Sequence, residues 1–145
     1  MTNPASEARR REIDILARTI WGEARGERVR GKEAVAAVVL NRVRRAQKRG
    51  RYWWGNDIES VCKRAFQFSA WNPGDPNRNK LLRVTPANRD FQSCLRIARR
   101  AVHGSLDDPT GGATHYHARS VNPVWARGRA ASAEIGRHLF YNDIE

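Results

Sequence analysis

TIWGEARGERVRGKEAVAAVVLNRV, residues 19–43, holds two helical patterns separated by glycines. Upstream and into it, Ile13, Leu16, Ala17, Ile20 and Ala24 recur at helical spacing, and we expect a helix capped by Ser6 and running to about Ala24. Gly26 and Gly31 bracket a loop. From near Lys32 the chain is apolar almost all round through EAVAAVVLNRV, which predicts a central, buried second helix with a basic tail, RRAQKRGR, emerging into solvent. At about 100° per residue Glu23 lies about 60° from Ile20, on the border of the apolar stripe, beside Trp21 and close to a helix C-terminus. The macrodipole disfavours a carboxylate there. Desolvation beside Trp21 and Ile20 would raise its pKa, as a general acid working near neutral pH requires. A plain surface glutamate is the structural alternative. Arg25 projects roughly opposite.

Outward from this stretch the pattern stays helical. Asn56 or Asp57 can cap a short helix bearing Ile58, Val61, Cys62 and Ala65. QFSAWNPGDPNRNK, broken by Pro73, Gly74 and Pro76, reads as an aromatic loop. Thr85-Pro86 predicts a fourth helix with threonine as cap, an inner stripe of Phe91, Cys94, Leu95, Ala98 and Val102, and Gly104 at its end. ATHYHA suggests a short strand, VNPVWARG an irregular segment, and EIGRHLFYN one closing strand. No repeat, linker or domain boundary interrupts the 145 residues. We expect a mainly helical α+β domain over 1–145, with 1–8 a loose N-terminal arm.

Composition narrows the function classes. No apolar run approaches the roughly 20 residues that span a bilayer, and the N-terminus lacks the apolar region of a secretory signal. Synthesis in the cytoplasm is expected, with another agent releasing the protein if it acts outside. A formal charge of +12 implies an anionic partner, whether nucleic acid, membrane surface or wall polymer. The arginine clusters Arg9–Arg11, Arg42–Arg51 and Arg96–Arg100 read as solvated helix faces. Cys62 and Cys94 read as buried thiols, one bridge between them remaining open. His115 and His117 share a side of the strand, but His103 and His138 lie in other elements and no HExxH pattern occurs, so no metal is expected. Trp53, Trp54, Phe68, Trp71 and Tyr116 sit in or beside loops; singly they could cap the core, together they suit a saccharide groove with Gln67, Ser69 and Asn72.

In order and at these spacings, ARTIWGEARGE, GKEAVAAVVLNRV, WG-DI-SV, QFSAW and GATHYHA…NPVWA…IGRHLFY resemble the SleB/CwlJ-type cell-wall hydrolase family from about Ile15 to Tyr141. The resemblance implies a lysozyme- or lytic-transglycosylase-like fold and cleavage of the peptidoglycan glycan strand between MurNAc and GlcNAc. It also implies that Glu23, in Gly-Glu-Ala-Arg-Gly-Glu, is the essential acid and base. Gln67, Phe68, Ser69, Trp71, Tyr116 and His117 are the expected substrate-binding residues, supported by Trp21 and the buried second helix. A compact phage-type or prophage-type endolysin is the nearest analogy. A hydrolytic glycosidase normally has a second carboxylate. Of Glu27, Glu33, Asp57 and Asp75 none stands out, Gly26 being expected to break the helix before Glu27. A single-acid lytic transglycosylase giving 1,6-anhydroMurNAc ends therefore fits better than a muramidase or amidase. We expect no cofactor, peptidoglycan as partner without specific nucleic acid, and a monomer. The rival from another class is a basic nucleic-acid- or wall-binding module without catalysis. No helix-turn-helix, zinc-finger or RNP signature supports it.

Overall fold

The computed structural model describes residues 3–64 and 67–144. Five α-helices and a three-stranded antiparallel sheet are present among them. Helix α1 spans Pro4–Ala24 and starts inside the stretch expected to be a loose arm. Asn3, not Ser6, is its cap. The Asn3 side chain accepts the Ser6 backbone N–H at 2.8 Å, and Pro4 occupies the first helical position, where a missing N–H costs nothing. Helix α2 spans Val29–Lys48. It begins three residues before Lys32 because Gly31 is helical and its first turn has no side-chain cap to mark it in the sequence.

Helix α3 spans Ile58–Lys63, and Asp57 and Ser60 close a reciprocal capping box at its start. Ile58, Val61 and Cys62 face inward as expected; Ala65 lies outside the described residues. The aromatic loop is more regular than its prolines suggested. A 3₁₀ turn occupies Ser69–Trp71, and helix α4 spans Pro76–Arg83, with Asp75 as cap and Pro76 as first residue. Helix α5 spans Arg89–Val102. Its cap is Asn88, which accepts the Phe91 N–H at 3.0 Å, whereas Thr85 closes a local turn onto the Ala87 N–H. Cys62 and Cys94 are buried free thiols.

Helix α1 packs against all four other helices, so it shares the centre with α2. Leu16, Ile20, Val39, Trp54, Phe68, Leu81, Phe91 and Ile97 fill the main core. Strand β1 is His115–Ala118, β2 Ala133–Ile135 and β3 His138–Tyr141, in the order β1-β3-β2. The expected single closing strand is thus a hairpin. Gly136, with φ at +58°, turns the chain between β2 and β3. The sheet lies over α2 through Ala34, Val38, Ala113 and Phe140.

Candidate active site

Glu23 closes α1, one residue before its last, and lines a cleft of about 440 Å³. Across the cleft stands the sheet. Because strand side chains alternate, Tyr116 points to the Glu23 side, while His117 packs against Tyr141 and Trp125 and the His115 ring lies between Trp54 and Trp125. The Tyr116 hydroxyl donates to Glu23 Oε1 at 2.7 Å. Burial pushes the Glu23 carboxyl above the usual range. The hydrogen bonds from Tyr116 and the Ala70 backbone oppose that push, Asp75 adds to it and Arg42 offsets it. The Tyr116 phenol is itself raised well above its ordinary value, chiefly by burial and then by Glu23, so it stays a neutral donor.

Local sequence explains this placement. Gly22 precedes Glu23 because a Cβ there would come within 2.8 Å of Ala70 Cβ; its absence lets the Ser69–Trp71 turn close onto α1. Asn41 and Arg42 hold the segment that leads into β1. Asn41 Nδ2 donates to the Ala113 carbonyl at 2.9 Å and Arg42 Nε to the Thr114 carbonyl at 2.7 Å. Arg42 was expected among the solvated arginines. It is buried instead, its guanidinium packed over Trp54 and Phe68, and burial lowers its pKa to about 10.

Glu27 shares the cleft with Glu23, a placement that its separation by Gly26 concealed. Its side chain is 10% exposed and sits in a tight seat. Oε1 accepts the Arg137 backbone N–H at 2.8 Å and lies 3.3 Å from His138 Nδ1, in an orientation too bent for a hydrogen bond. A Cβ at Gly136 would fall 2.6 Å from Oε1, and one at Gly31 would fall 2.8 Å from Glu27 Cβ. His138 in turn meets the Tyr116 ring edge-on at 5.0 Å, and burial lowers its pKa despite the Glu27 charge. Glu27, His138, Tyr116 and Glu23 are therefore joined in one chain of contacts, in which Glu23, Glu27 and His138 line the cleft and Tyr116 stands behind them. Arg119 and Arg137 add positive charge to the cleft.

Among the expected groove residues, Tyr116 alone has a hydrogen bond to Glu23. Phe68 is a correction: it is 0% exposed, a core ring beneath Arg42 and beside Tyr116. His117 is another. It lies on the outer face of the sheet, stacked on Tyr141 and bonded to its hydroxyl at 2.9 Å. Gln67 accepts from Arg42 Nη1 at 3.3 Å, and half-buried Trp71 donates Nε1 to Thr19 Oγ1 at 2.9 Å. Neither lines the 440 Å³ cleft, nor does exposed Ser69. Trp21 supports the other side of α1, under the Arg25 guanidinium.

Known proteins carry the same organisation. The spore cortex-lytic enzyme of Halalkalibacterium halodurans is 32% identical over 134 residues, 90% of this chain and 34% of that protein. The spore cortex-lytic enzyme of Bacillus cereus is 30% identical over 142 residues, 96% of this chain and 47% of that protein. The chain thus spans between about a third and a half of the length of these relatives. The crystal structure of the catalytic domain of Bacillus cereus SleB superposes with a TM-score of 0.69 at 30% identity, covering 90% of this chain and 88% of that one. The catalytic domain of the germination-specific lytic transglycosylase SleB from Bacillus anthracis gives a TM-score of 0.68 at 30% identity, covering 90% and 93%. The cell wall hydrolase family model matches residues 26–141, beginning just after Glu23 and taking in Glu27, α2 and the whole sheet. With most of its length matched by that family and its architecture shared with the SleB domains, the chain belongs to the cell wall hydrolase family.

Proposed function

We propose that this chain cuts the glycan strand of peptidoglycan between MurNAc and GlcNAc, with Glu23 as the acid and then the base. The observation that carries the reading is the setting of Glu23: a carboxyl in a cleft, raised by burial and oriented by Tyr116. Tyr116 donates to Oε1 and the Ala70 backbone donates to the same carboxyl, so two hydrogen bonds fix the orientation of the group that carries the acidic proton. Glu23 protonates the glycosidic oxygen as the bond to C1 breaks. The resulting carboxylate takes the proton of the muramyl 6-hydroxyl, whose oxygen closes on C1 to give a 1,6-anhydro end. Arg119 and Arg137 suit the carboxylates of the lactyl-peptide side chains. Ser69 and Trp71, on the turn that abuts Gly22, remain candidates for sugar contact on the other side of Glu23. The enzyme works as a monomer at the cell wall.

One observation favours hydrolysis as a second reading. Glu27 is a second carboxylate in the same cleft, where it could activate a water against C1. Its engagement with Arg137 and the hairpin gives it a structural task instead, so transglycosylation is the preferred outcome.

Glu23→Gln should reduce cleavage of purified sacculi by about 10²–10⁴-fold while leaving sacculus binding intact. Mass analysis of the muropeptides released by the wild type should show anhydromuramyl ends, about 18 Da lighter than hydrolysed ends. Reducing muramic-acid ends would replace the mechanism with the Glu27 hydrolytic one. Free stem peptides beside uncut glycan would make the protein an amidase.

A further inference from the structure

The turn between α2 and α3 carries three consecutive rings. The centroids of Tyr52, Trp53 and Trp54 lie 4.3 to 6.2 Å from one another. Trp54 is the anchor, fully buried and donating Nε1 to the Arg42 carbonyl at 3.0 Å. Gly55 follows with φ at +103°, and a Cβ there would collide with Ser60, so the turn admits no side chain at that point. Trp53 rides on this base yet stays 49% exposed. It fronts a cavity of about 710 Å³ to which Arg51, Asn56, Lys63 and Arg64 also contribute. These residues lie outside the lining of the Glu23 cleft.

The charges around the ring are unevenly matched. Asp57 is engaged with the Ser60 N–H and hydroxyl at 2.8 and 2.7 Å. Glu59 is held by Arg11 and Lys63 at 2.7 and 3.0 Å. The Arg64 guanidinium sits 6.0 Å from the Trp53 ring, and among the described residues neither Arg64 nor Arg51 has a carboxylate partner. A half-exposed indole with the Arg64 guanidinium over its ring and Arg51 in the same cavity matches a ligand with an apolar ring face and a carboxylate beside it.

We propose that this platform is a second binding site for an anionic glycan strand. Trp53 stacks on the C–H face of a pyranose, and Arg51 and Arg64 meet carboxylates of the lactyl-peptide side chains. The proposal rests on the reading of the chain as a peptidoglycan-cutting enzyme, because a polymer held in one cleft can reach a second site on the same molecule. Two-point attachment raises the effective concentration of strand at the cleft. Single-stranded nucleic acid also offers rings and negative charge, and it forms the competing arm of the test.

Binding is measured on the Glu23→Gln protein, which removes turnover from the readout. Trp53→Ala added to that background should weaken co-sedimentation with purified sacculi about tenfold, as expected for loss of an aromatic anchor. Trp53→Phe should restore most of the retention, and the melting temperature should match the parent. Arg64→Glu serves as the second variant and should weaken retention by reversing one charge without removing a ring. Equal retention of the parent, Trp53→Ala and Arg64→Glu proteins would overturn the proposal. So would Trp53→Ala losing a single-stranded oligonucleotide while keeping sacculi. Failure of the catalytic reading shows separately, as wild-type protein that releases no glycan fragments from sacculi it still binds.

Discussion

At the scale of the residue, Glu23 is balanced between burial, which favours its proton, and two hydrogen bonds, which favour its charge. An acid catalyst is active while protonated, so cleavage should fall as pH rises through this raised pKa, above the ordinary carboxylate range. Tyr116→Phe tests the balance with a definite sign. Its hydroxyl stabilises the carboxylate, so removing it moves the Glu23 pKa further up and carries the alkaline limb of the rate profile to higher pH. The rate at the optimum should drop about 10- to 100-fold, because Oε1 loses a hydrogen bond of the charged-group class, about 1.5–3 kcal/mol. A pH–rate series on sacculi checks both, and a limb that shifts down or stays put refutes the assignment. The border position of Glu23 could be read from the spacing of Ile13, Leu16, Ile20 and Ala24, since helical phase is a local property. Tyr116 could be singled out but not paired with Glu23, 93 residues away, because the pairing depends on how β1 docks on α2 through Asn41 and Arg42.

At the scale of the element, the β2–β3 hairpin is clasped to the α1–α2 loop by one side chain. Glu27→Ala removes the acceptor of the Arg137 N–H and opens the seat between Gly31 and Gly136. We expect a loss of about 1–3 kcal/mol, which for a chain of this size lowers the melting temperature by about 2–4 °C per kcal/mol. Glu27→Gln keeps an oxygen for the same N–H and should melt close to wild type, as thermal unfolding monitored by circular dichroism would show. The elements themselves were unevenly legible. The apolar run Ala34–Val39 announced a buried helix because no exposed face interrupts it. Thr85-Pro86 and Asp75-Pro76 offer the same cap-then-proline signal, yet only the second starts a helix. Asp75 caps the Asn77 N–H and α4 follows at once, whereas the chain after Thr85-Pro86 makes one turn, Asn88 N–H to the Thr85 carbonyl, and α5 starts behind the Asn88 cap. The sequence does not announce the hairpin, because Gly136 is a single residue in an otherwise strand-like run. Its meaning as a turn lies in its positive φ and in the Glu27 oxygen it must clear.

At the scale of the molecule, a formal charge of +12 is spread over surface arginines and lysines, with Lys32 and Arg42 the buried cations among the described residues. One groove alone gathers Arg44, Arg45, Lys48 and Arg49 at the end of α2, and the cleft adds Arg119 and Arg137. Such a surface repels itself in the folded state and attracts a polyanion, and salt weakens both effects. The two consequences have opposite signs. Raising sodium chloride from about 50 to about 500 mM shortens the screening length to a few ångströms, so retention on sacculi should fall on the order of tenfold or more. Over the same range the melting temperature should hold or rise, because relieved repulsion stabilises the compact chain. Co-sedimentation and thermal melts in one salt series separate the possibilities. Wall binding that is indifferent to salt would mean that rings and hydrogen bonds hold the strand unaided. Affinity and melting temperature falling together would mean that salt acts on the fold, leaving the positive surface without the electrostatic role assigned to it.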